Sequence, residues 1–217
     1  MNRTALGAVC FFLSAPLFAS LSLEQVLLNM ENQNKTMQNI KFEFRQEIQF
    51  VNASDISEVT GLAIFQKPGQ MNIQKNKPQE QLTVSNGKKM WIYTPAYNQV
   101  WEGSATRGLG TSFLPKGLVP LDDFVLELRK DFNVRFSQTE KSSGELLWLV
   151  AEPKDASSGY RIDLCISTQT WLPTKTVFHS DSARILTELL NTQVNLAIPG
   201  STFRFVPPKG ADVIPIP

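Results

Sequence analysis

The side chains best suited to acid, base or nucleophilic chemistry are few in this chain and widely separated. His179 is the only histidine, so a zinc site with several histidines and a relay with a second histidine are excluded. It lies in a polar stretch that predicts a turn. Asp122 and Asp123 form an acidic pair, but the dipole at the start of a helix accounts for them without catalysis. No Gly-x-Ser-x-Gly elbow, phosphate loop or dinucleotide fingerprint occurs, so the sequence argues against an enzyme.

The N-terminus has the pattern of a secretory signal peptide. Arg3 precedes an apolar stretch that contains no acid, is too short to span a bilayer and ends in small residues at Ala19 and Ser20. We therefore predict a cleaved signal peptide at 1–19. The rest of the 217 residues suits a single core, so we predict one domain at 20–217.

After this cleavage the chain would be neutral and would keep one cysteine. Residues 1–19 contain one of the 21 bases and none of the 20 acids, so their loss brings the formal charge to zero. Nucleic acid and anionic membranes attract clustered positive charge, so we expect neither as a partner. Cys10 leaves with the signal peptide. Cys165 then has no partner for an intramolecular disulfide, and we predict a small buried residue on a strand.

Two segments have the period of an amphipathic helix. The first is predicted at 22–37, and Ser22 and Gln25 have the spacing of a capping box at its start. The second is predicted at 120–130, with Pro120 in the first position, acids early and bases late. The apolar residues at helical spacing are Leu23, Val26, Leu27, Met30 and Met37 in the first helix and Leu121, Phe124, Val125 and Leu128 in the second.

The segment after the first helix alternates as a strand with one apolar side and one wet side. Ile40, Phe42, Phe44 and Ile48 lie on the apolar side, between charged and amide residues that point the other way. Gln46 is the single polar residue on the apolar side. It therefore needs a hydrogen-bond partner there, or it reaches a rim.

Most of the remaining chain predicts strands joined by short turns. Asn86-Gly87 predicts a hairpin turn with positive φ at both central residues, and the glycine-rich stretch 103–117 predicts a loop. Further strands are predicted at 58–67, 70–75, 80–85, 88–94, 97–102, 132–138, 146–152, 159–167, 171–179, 184–194 and 202–206. The predicted fold class is mainly β with α: one large, strongly curved antiparallel sheet whose concave face is covered by helices.

Four motifs occur in the order and spacing of one protein family. They are Ile40-x-x-x-Phe44-x-Gln46; Gly61 with Lys67-Pro68-Gly69; Val84-Ser85-Asn86-Gly87-Lys88-x-x-Trp91-x-Tyr93-x-Pro95-x-x-x-Gln99-Val100; and Phe203-x-Phe205-x-Pro207-Pro208-x-Gly210. Through them, nearly all of the predicted mature chain resembles the periplasmic outer-membrane lipoprotein carrier family, LolA. The third motif is the most specific of the four.

The resemblance implies a fold, a task and partners. The fold is a single unclosed β-barrel or half-barrel with a helical lid over an apolar cavity that shelters acyl chains, and it needs no cofactor and performs no covalent chemistry. The implied partners are lipoproteins, an inner-membrane ABC-type lipoprotein-releasing complex and an outer-membrane lipoprotein acceptor. The implied location is the periplasm, and we expect a monomer.

The candidate site follows from strand parity together with this resemblance. The predicted acyl lining is Ile40, Phe42, Phe44, Ile48, Phe65, Met71 and Ile73. The predicted lid residues are Leu23, Leu27, Met30, Leu121, Phe124, Val125 and Leu128. For each lining residue, packing in a dry core is the alternative. Trp91 and Tyr93 share a face, but parity does not decide whether that face is the cavity or the outer surface.

Lys67 is the predicted latch of the lid. It stands where the family usually has an arginine before the proline, and Met71-Asn72-Ile73 stands where the family often has Phe-Arg-Trp. The resemblance implies that its ammonium bonds carbonyls of the lid, less strongly than the planar fork of an arginine. The alternative is an ordinary solvated lysine.

Two other roles are compatible with the same fold: an outer-membrane lipoprotein acceptor and an envelope-stress sensor. The acceptor would need a lipidated N-terminal cysteine, and the sequence around Cys10 does not fit a lipidation site. The sensor would usually carry a second domain, for which the chain has no room. Mass spectrometry of the mature N-terminus distinguishes the acceptor from the carrier.

Overall fold

Three stretches of the chain are described by the computed structural model: 21–105, 124–140 and 142–216. The predicted signal peptide with Cys10 lies outside these ranges, and so do the lid residue Leu121 and its neighbours Pro120, Asp122 and Asp123. The predicted loop at 103–117 also lies outside them from residue 106 onward.

Two helices occur in the described part of the chain, at the predicted places. Helix α1 spans Leu23–Thr36 and begins with the predicted capping box. The Gln25 backbone N–H donates to Ser22 Oγ at 3.2 Å, and the Ser22 N–H donates to Gln25 Oε1 at 2.9 Å. These bonds satisfy backbone donors that have no partner within the helix. Helix α2 spans Phe124–Asp131 and carries bases in its last turn, where the helix dipole favours them.

The strands form one sheet of twelve in the described residues. They are β1 Asn39–Phe50, β2 Ile56–Gln66, β3 Gln70–Lys77, β4 Gln81–Asn86, β5 Lys89–Thr94, β6 Gln99–Ser104, β7 Phe132–Phe136, β8 Leu146–Pro153, β9 Tyr160–Ser167, β10 Pro173–Ser180, β11 Ala183–Val194 and β12 Asp212–Pro215. Their order across the sheet is β12-β6-β5-β4-β3-β2-β1-β11-β10-β9-β8-β7. Neighbours are antiparallel except β12, which lies parallel to β6. Because β12 and β7 are opposite ends of this order, the sheet is unclosed, as predicted.

The pairing register places the predicted lining on one face of the sheet. Ile40 lies opposite Phe65, and Phe65 lies opposite Met71. Cross-strand partners point to the same side, so this face continues across β1, β2 and β3. It also continues through β11 and β10 to Leu164 on β9, which belongs to the same apolar cluster as residues of both helices. We call it the inner face and the opposite one the outer face.

The apolar core on the inner side divides into two groups. The sheet cluster consists of Met37, Ile40, Phe42, Phe44, Val59, Ala63, Phe65, Ile73, Leu172 and Leu189. The lid cluster consists of Val26, Leu27, Met30, Phe124, Val125, Leu128, Leu149, Ala151, Ile162, Leu164 and Ile166. The first group comes mainly from neighbouring strands, whereas the second joins the two helices to strands β8 and β9.

The strand predicted at 202–206 is wrong. Gly200–Phe203 forms a 3-10 turn that buries Phe203, and the residues after it belong to no strand. The Asn72 side-chain amide donates to the Thr202 carbonyl at 2.7 Å, so a side chain takes the place of a ladder partner. Pro207 and Pro208 lack the N–H that a ladder needs. The last strand is instead β12, further along the chain.

The turn between β4 and β5 also differs from the prediction. Gly87 has a φ of +88°, but Asn86 does not have a positive φ. The Asn86 Oδ1 accepts the backbone N–H groups of Lys88 and Lys89 at 2.9 and 2.8 Å. Strand β4 ends at Asn86 and β5 begins at Lys89, so the turn consists of Gly87 and Lys88, one position later than predicted. The Asn86 side chain stabilises this turn.

His179 lies on a strand, so the predicted turn at this residue is wrong. Strand β10 continues to Ser180, and His179 pairs with Arg184 on β11 and Arg161 on β9. Its Nε2 lies 2.9 Å from Asp163 Oδ2, and Arg161 forms an ion pair with the same carboxylate. Pairing on both sides therefore holds this polar stretch extended.

Candidate functional site

All seven predicted lining residues lie in the sheet cluster or against it. Ile40, Phe42, Phe44, Phe65 and Ile73 are buried members, and Ile48 and Met71 are partly buried and pack against them. The rings of Phe42 and Phe65 stack with their centroids 6.0 Å apart. A Cβ added to Gly61 would lie 2.6 Å from Phe44 Cζ, so this ring rests directly on the backbone. In this conformation the lining is a closed apolar surface without a reactive group.

The predicted lid residues lie in the lid cluster. Leu27, Met30, Phe124, Val125 and Leu128 are buried members, and Leu23 packs against them. The lid thus covers β8 and β9 more than the predicted lining on β1, β2 and β3. Lid and lining meet at the end of α1, where Met37 belongs to the sheet cluster.

Polar bonds tie the C-terminal end of α1 to the sheet. The Lys67 ammonium donates to the Asn34 carbonyl oxygen at 2.7 Å. This carbonyl lies in the last turn, where backbone oxygens have no partner within the helix and the dipole favours a cation. Asn195 joins the same end, because its amide donates to the Thr36 carbonyl at 3.4 Å and its Oδ1 accepts the Gln38 N–H at 2.8 Å. The contact is the one that the latch hypothesis requires of Lys67.

A second lysine, which the sequence did not single out, ties the C-terminal end of α2. The Lys154 ammonium donates to the carbonyl oxygens of Arg129 and Lys130 at 2.9 and 2.8 Å. The Lys154 backbone N–H also donates to the Asp131 carbonyl at 2.8 Å. Lys154 follows a proline at a strand end, and Lys67 precedes one. A neighbouring proline at a strand end is the only sequence feature that the two lysines share, and it is too common to predict a helix contact.

The two helices are also joined to each other. Arg129 Nη1 on α2 lies 2.8 Å from Glu24 Oε2 on α1. The Arg129 hydrogen bond holds the pKa of the Glu24 carboxyl below its ordinary value. Both groups are accessible to solvent, so we expect this ion pair to contribute little to stability.

A cavity of about 160 Å³ lies beside α2, at the edge of the lid. Its lining residues are Phe124, Glu127, Leu128, Asp131, Phe132, Tyr160 and Ile162. The lining combines apolar side chains with two charged groups, the carboxylates of Glu127 and Asp131. The space offers contact to an apolar group where α2 meets the sheet.

Trp91 and Tyr93, which parity alone could not assign, lie on the outer face. They form a third apolar group with Val84, Val100 and Phe205. The Phe205 ring centroid lies 6.1 Å from that of Trp91 and 6.0 Å from that of Tyr93. The C-terminal segment thus covers both aromatic residues, and they are not part of the inner face.

The groups suited to chemistry are not assembled into a reactive site in the described part of the chain. No group of three or more His, Cys, Asp or Glu side chains that could hold a metal occurs in these ranges. Cys165 is buried on β9 with 1% of its surface exposed, which confirms the predicted environment. Burial raises the pKa of its thiol, so it is a poor nucleophile.

Comparison with known proteins identifies relatives over the full length. A family model described as outer membrane lipoprotein carrier protein LolA matches residues 35–206. The outer-membrane lipoprotein carrier protein of Dechloromonas aromatica is 30% identical over 213 residues, which cover 96% of this chain and 95% of that protein. The protein of the same name from Legionella pneumophila strain Lens is 30% identical over 217 residues, with 99% of both chains covered.

A solved structure supports the fold independently. An uncharacterised conserved protein from Thermus thermophilus superimposes with a TM-score of 0.56 over 89% of this chain and 98% of that one, at 14% identity. Neither helix in the described ranges is long and apolar enough to cross a bilayer. The relatives support a periplasmic carrier and not an enzyme. From the match over most of its length, this chain belongs to the outer membrane lipoprotein carrier protein family, LolA.

Proposed function

We propose that this protein shelters the acyl chains of lipoproteins on the inner face of its sheet. It receives them from an ABC-type releasing complex in the inner membrane and delivers them to an acceptor at the outer membrane. The observation that carries the proposal is the apolar inner face, over part of which two helices are held by a few polar bonds. In this proposal residues 1–19 are removed as a signal peptide, and residues 20–217 act as a monomer.

Burial of acyl chains is the physical reason for such a carrier. Each methylene transferred out of water contributes about 0.8 kcal/mol, so a long chain needs an apolar shelter to cross an aqueous compartment. The sheet cluster and the lid cluster supply apolar side chains on one face of one sheet. Separation of the helices from β8 and β9 would expose the surface that an acyl chain covers.

The lid must be closed firmly enough to hide this surface and weakly enough to open. We propose that Lys67 is the latch at α1, through its bond to the Asn34 carbonyl. One ammonium in this place bonds fewer carbonyls than the arginine usual in the family, so closure is weaker. Delivery then needs only an acceptor with a higher affinity for the acyl chains.

Photo-crosslinking tests the carrier proposal on neighbouring residues of one strand. Phe44 lies on the inner face with 2% of its surface exposed, whereas Glu43 is exposed on the outer face. A photoreactive residue at Phe44 should capture a lipoprotein while it is released from inner membranes, and the same residue at Glu43 should not. Equal capture at both positions would contradict the assignment of the inner face. Capture at neither, with the protein folded, would contradict the carrier proposal.

A further inference from the structure

Three buried polar side chains form a row across the apolar inner face. Gln46 on β1, Thr187 on β11 and Thr176 on β10 are 2%, 0% and 0% exposed. Gln46 lies opposite Thr187, and Thr187 lies opposite Thr176. The row therefore runs straight across three neighbouring strands, and we call it the polar row.

Apolar residues flank Gln46 on its own strand and continue the polar row at both ends. Phe44 and Ile48, two predicted lining residues, precede and follow Gln46 on the inner side of β1. Val59 on β2 continues the row at one end, and Leu164 on β9 continues it at the other. The polar row thus lies between the sheet cluster and the lid cluster, on the surface proposed to shelter acyl chains.

The hydrogen bonds of the polar row are not complete. Gln46 Nε2 donates to Thr187 Oγ1 at 3.1 Å, which is the partner that a buried amide on this face needs. The Thr176 hydroxyl has no hydrogen-bond partner in the described ranges, although it is fully buried. A buried hydroxyl without a partner destabilises the folded state. A valine of the same shape would avoid this penalty, so the hydroxyl itself calls for an explanation.

We propose that the Thr176 hydroxyl binds the carbonyl oxygen at the head of an acyl chain. This inference rests on the proposed function and adds a polar contact to it. Every fatty acyl group carries one carbonyl, as an ester, an amide or a free carboxylate, and each of these oxygens accepts a hydrogen bond. The hydroxyl can donate its proton to that oxygen. This hydrogen bond fixes how far the acyl chain enters, and the methylenes of the chain pack on the apolar residues around the polar row.

This contact would also make the bound state selective. An acyl head brings its own acceptor into the face, so the hydroxyl gains a partner only when a ligand is present. A plain alkane brings no acceptor and leaves the hydroxyl as it is in the free protein. Ligands that differ only in the carbonyl should therefore differ in affinity.

The experiment compares three ligands of similar chain length on the mature protein: monopalmitoyl glycerol, palmitate and hexadecane. Affinity is measured by displacement of an apolar fluorescent dye. In Thr176→Val, the ester or the carboxylate should bind about 3- to 10-fold more weakly, while hexadecane is unaffected. Loss with the ester indicates an esterified acyl group as the ligand, and loss with palmitate alone indicates a free fatty acid. Thr176→Ser keeps the hydroxyl and should retain ester or carboxylate binding.

Two further measurements separate this role from simple packing. Thr176→Val should raise the melting temperature of the free protein by about 2 to 4 °C, since it removes a hydroxyl without a partner. The matched variant Thr187→Val removes the hydrogen-bond partner of Gln46 and should lower the melting temperature. In addition, the carbonyl stretch of bound, 13C-labelled monopalmitoyl glycerol or palmitate should lie at a lower frequency in the wild type than in Thr176→Val.

The results that overturn the proposal are distinct from those that overturn the carrier. The carbonyl contact is wrong, and the carrier stands, if the wild type binds the ligands and Thr176→Val binds each of them as tightly as the wild type does. The same holds if Thr176→Val weakens the binding of all three ligands by the same factor. If the wild type binds none of the three, the carrier proposal fails and the carbonyl contact fails with it.

Discussion

The sheet cluster and the lid cluster share one face but are built from different kinds of contact. The sheet cluster joins side chains of β1, β2 and β3, which are already held together by backbone ladders. The lid cluster joins helices to β8 and β9, and Lys67 and Lys154 bond the C-terminal ends of these helices to the sheet. Side chains between paired strands separate only when the ladder breaks, whereas a helix can lift as a unit. We therefore expect the lid cluster to open locally and the sheet cluster to open only with the whole fold.

The same comparison shows where the helices are held. Lys67 binds the C-terminal end of α1 and Lys154 binds the C-terminal end of α2. Both ammonium groups use carbonyls that the helix itself leaves without partners, and both complement the helix dipole. The Lys67 bond is partly buried and the Lys154 bonds are exposed, so we expect Lys67 to contribute more.

The largest effect should come from truncation in the sheet cluster. Phe42→Ala should lower the free energy of unfolding by about 3–5 kcal/mol, because a fully buried ring is lost from ladder-held strands. Denaturant titration measures this change. Hydrogen exchange should then be faster throughout the sheet and both helices. In the matched lid-cluster variant Leu128→Ala, exchange should rise first in α2. If Phe42→Ala raised the exchange rate in α2 alone, the distinction between the two clusters would be contradicted.

The next effect concerns the latch at α1. A charge-assisted bond such as Lys67 to Asn34 contributes about 1.5–3 kcal/mol when partly buried, and an arginine fork contributes more. Lys67→Arg should therefore slow the uptake of a fluorescent fatty acid, and Lys67→Leu should speed it. Uptake and retention are measured at two salt concentrations, with Lys41→Leu on the outer side of β1 as the control. Identical behaviour of the wild type and both Lys67 variants would show an ordinary solvated lysine.

A smaller effect is expected at the end of α2. Lys154→Met removes two exposed hydrogen bonds to α2 carbonyls but keeps the backbone hydrogen bond to Asp131. The free energy of unfolding should therefore fall by about 1 kcal/mol. Hydrogen exchange in the last turn of α2 should become faster, while exchange in β1 and β2 stays unchanged. Lys88→Met, in the exposed turn between β4 and β5, removes the same charge far from α2 and serves as the control. If hydrogen exchange in the last turn of α2 were equal in the two variants, Lys154 would not stabilise the end of α2.

The smallest effect is the pH dependence of the bond between the helices. Arg129 holds the pKa of Glu24 below its ordinary value near 4.5. The contribution of the pair is therefore present above that ordinary value and is lost as the pH falls through the lowered pKa. Glu31 on the same helix pairs with Lys35 and is affected by Arg129 more weakly. Both Glu24 and Arg129 are solvent-accessible, so the change should be small.

Labels on α1 and α2 report this change as a distance. Between pH 6 and pH 3 the separation of the helices should increase in the wild type, whereas Glu24→Gln should already have the larger separation at pH 6. A separation that changes with pH to the same extent in both proteins would assign the effect to other carboxylates.

Local pattern was enough to predict most elements of this protein. The capping box of Ser22 and Gln25 located α1, and alternation from Ile40 to Ile48 located β1 with its apolar side. These features depend on neighbours within a few residues, so the sequence contains all the information they need. The ordered motifs predicted the family for the same reason, since they combine residue types with spacing.

Long-range pairing decided what local pattern could not. Trp91 and Tyr93 lie on the outer face because of the register of β5 with β4 and of β4 with β3. Phe205, more than a hundred residues later, covers them there. His179 is extended because strands on both sides pair with it, and Lys154 holds α2 because the fold brings a strand end to a helix end.

The polar row shows the division between sequence and tertiary structure most directly. Alternation alone identified Gln46 as a polar residue on an apolar side that needed a partner. Only the pairing of β1 with β11 and of β11 with β10 brought Thr187 and Thr176 beside it, from more than a hundred residues away. A strand's own sequence decides which side chains share its face, but the order of strands in the sheet decides which residues that face meets.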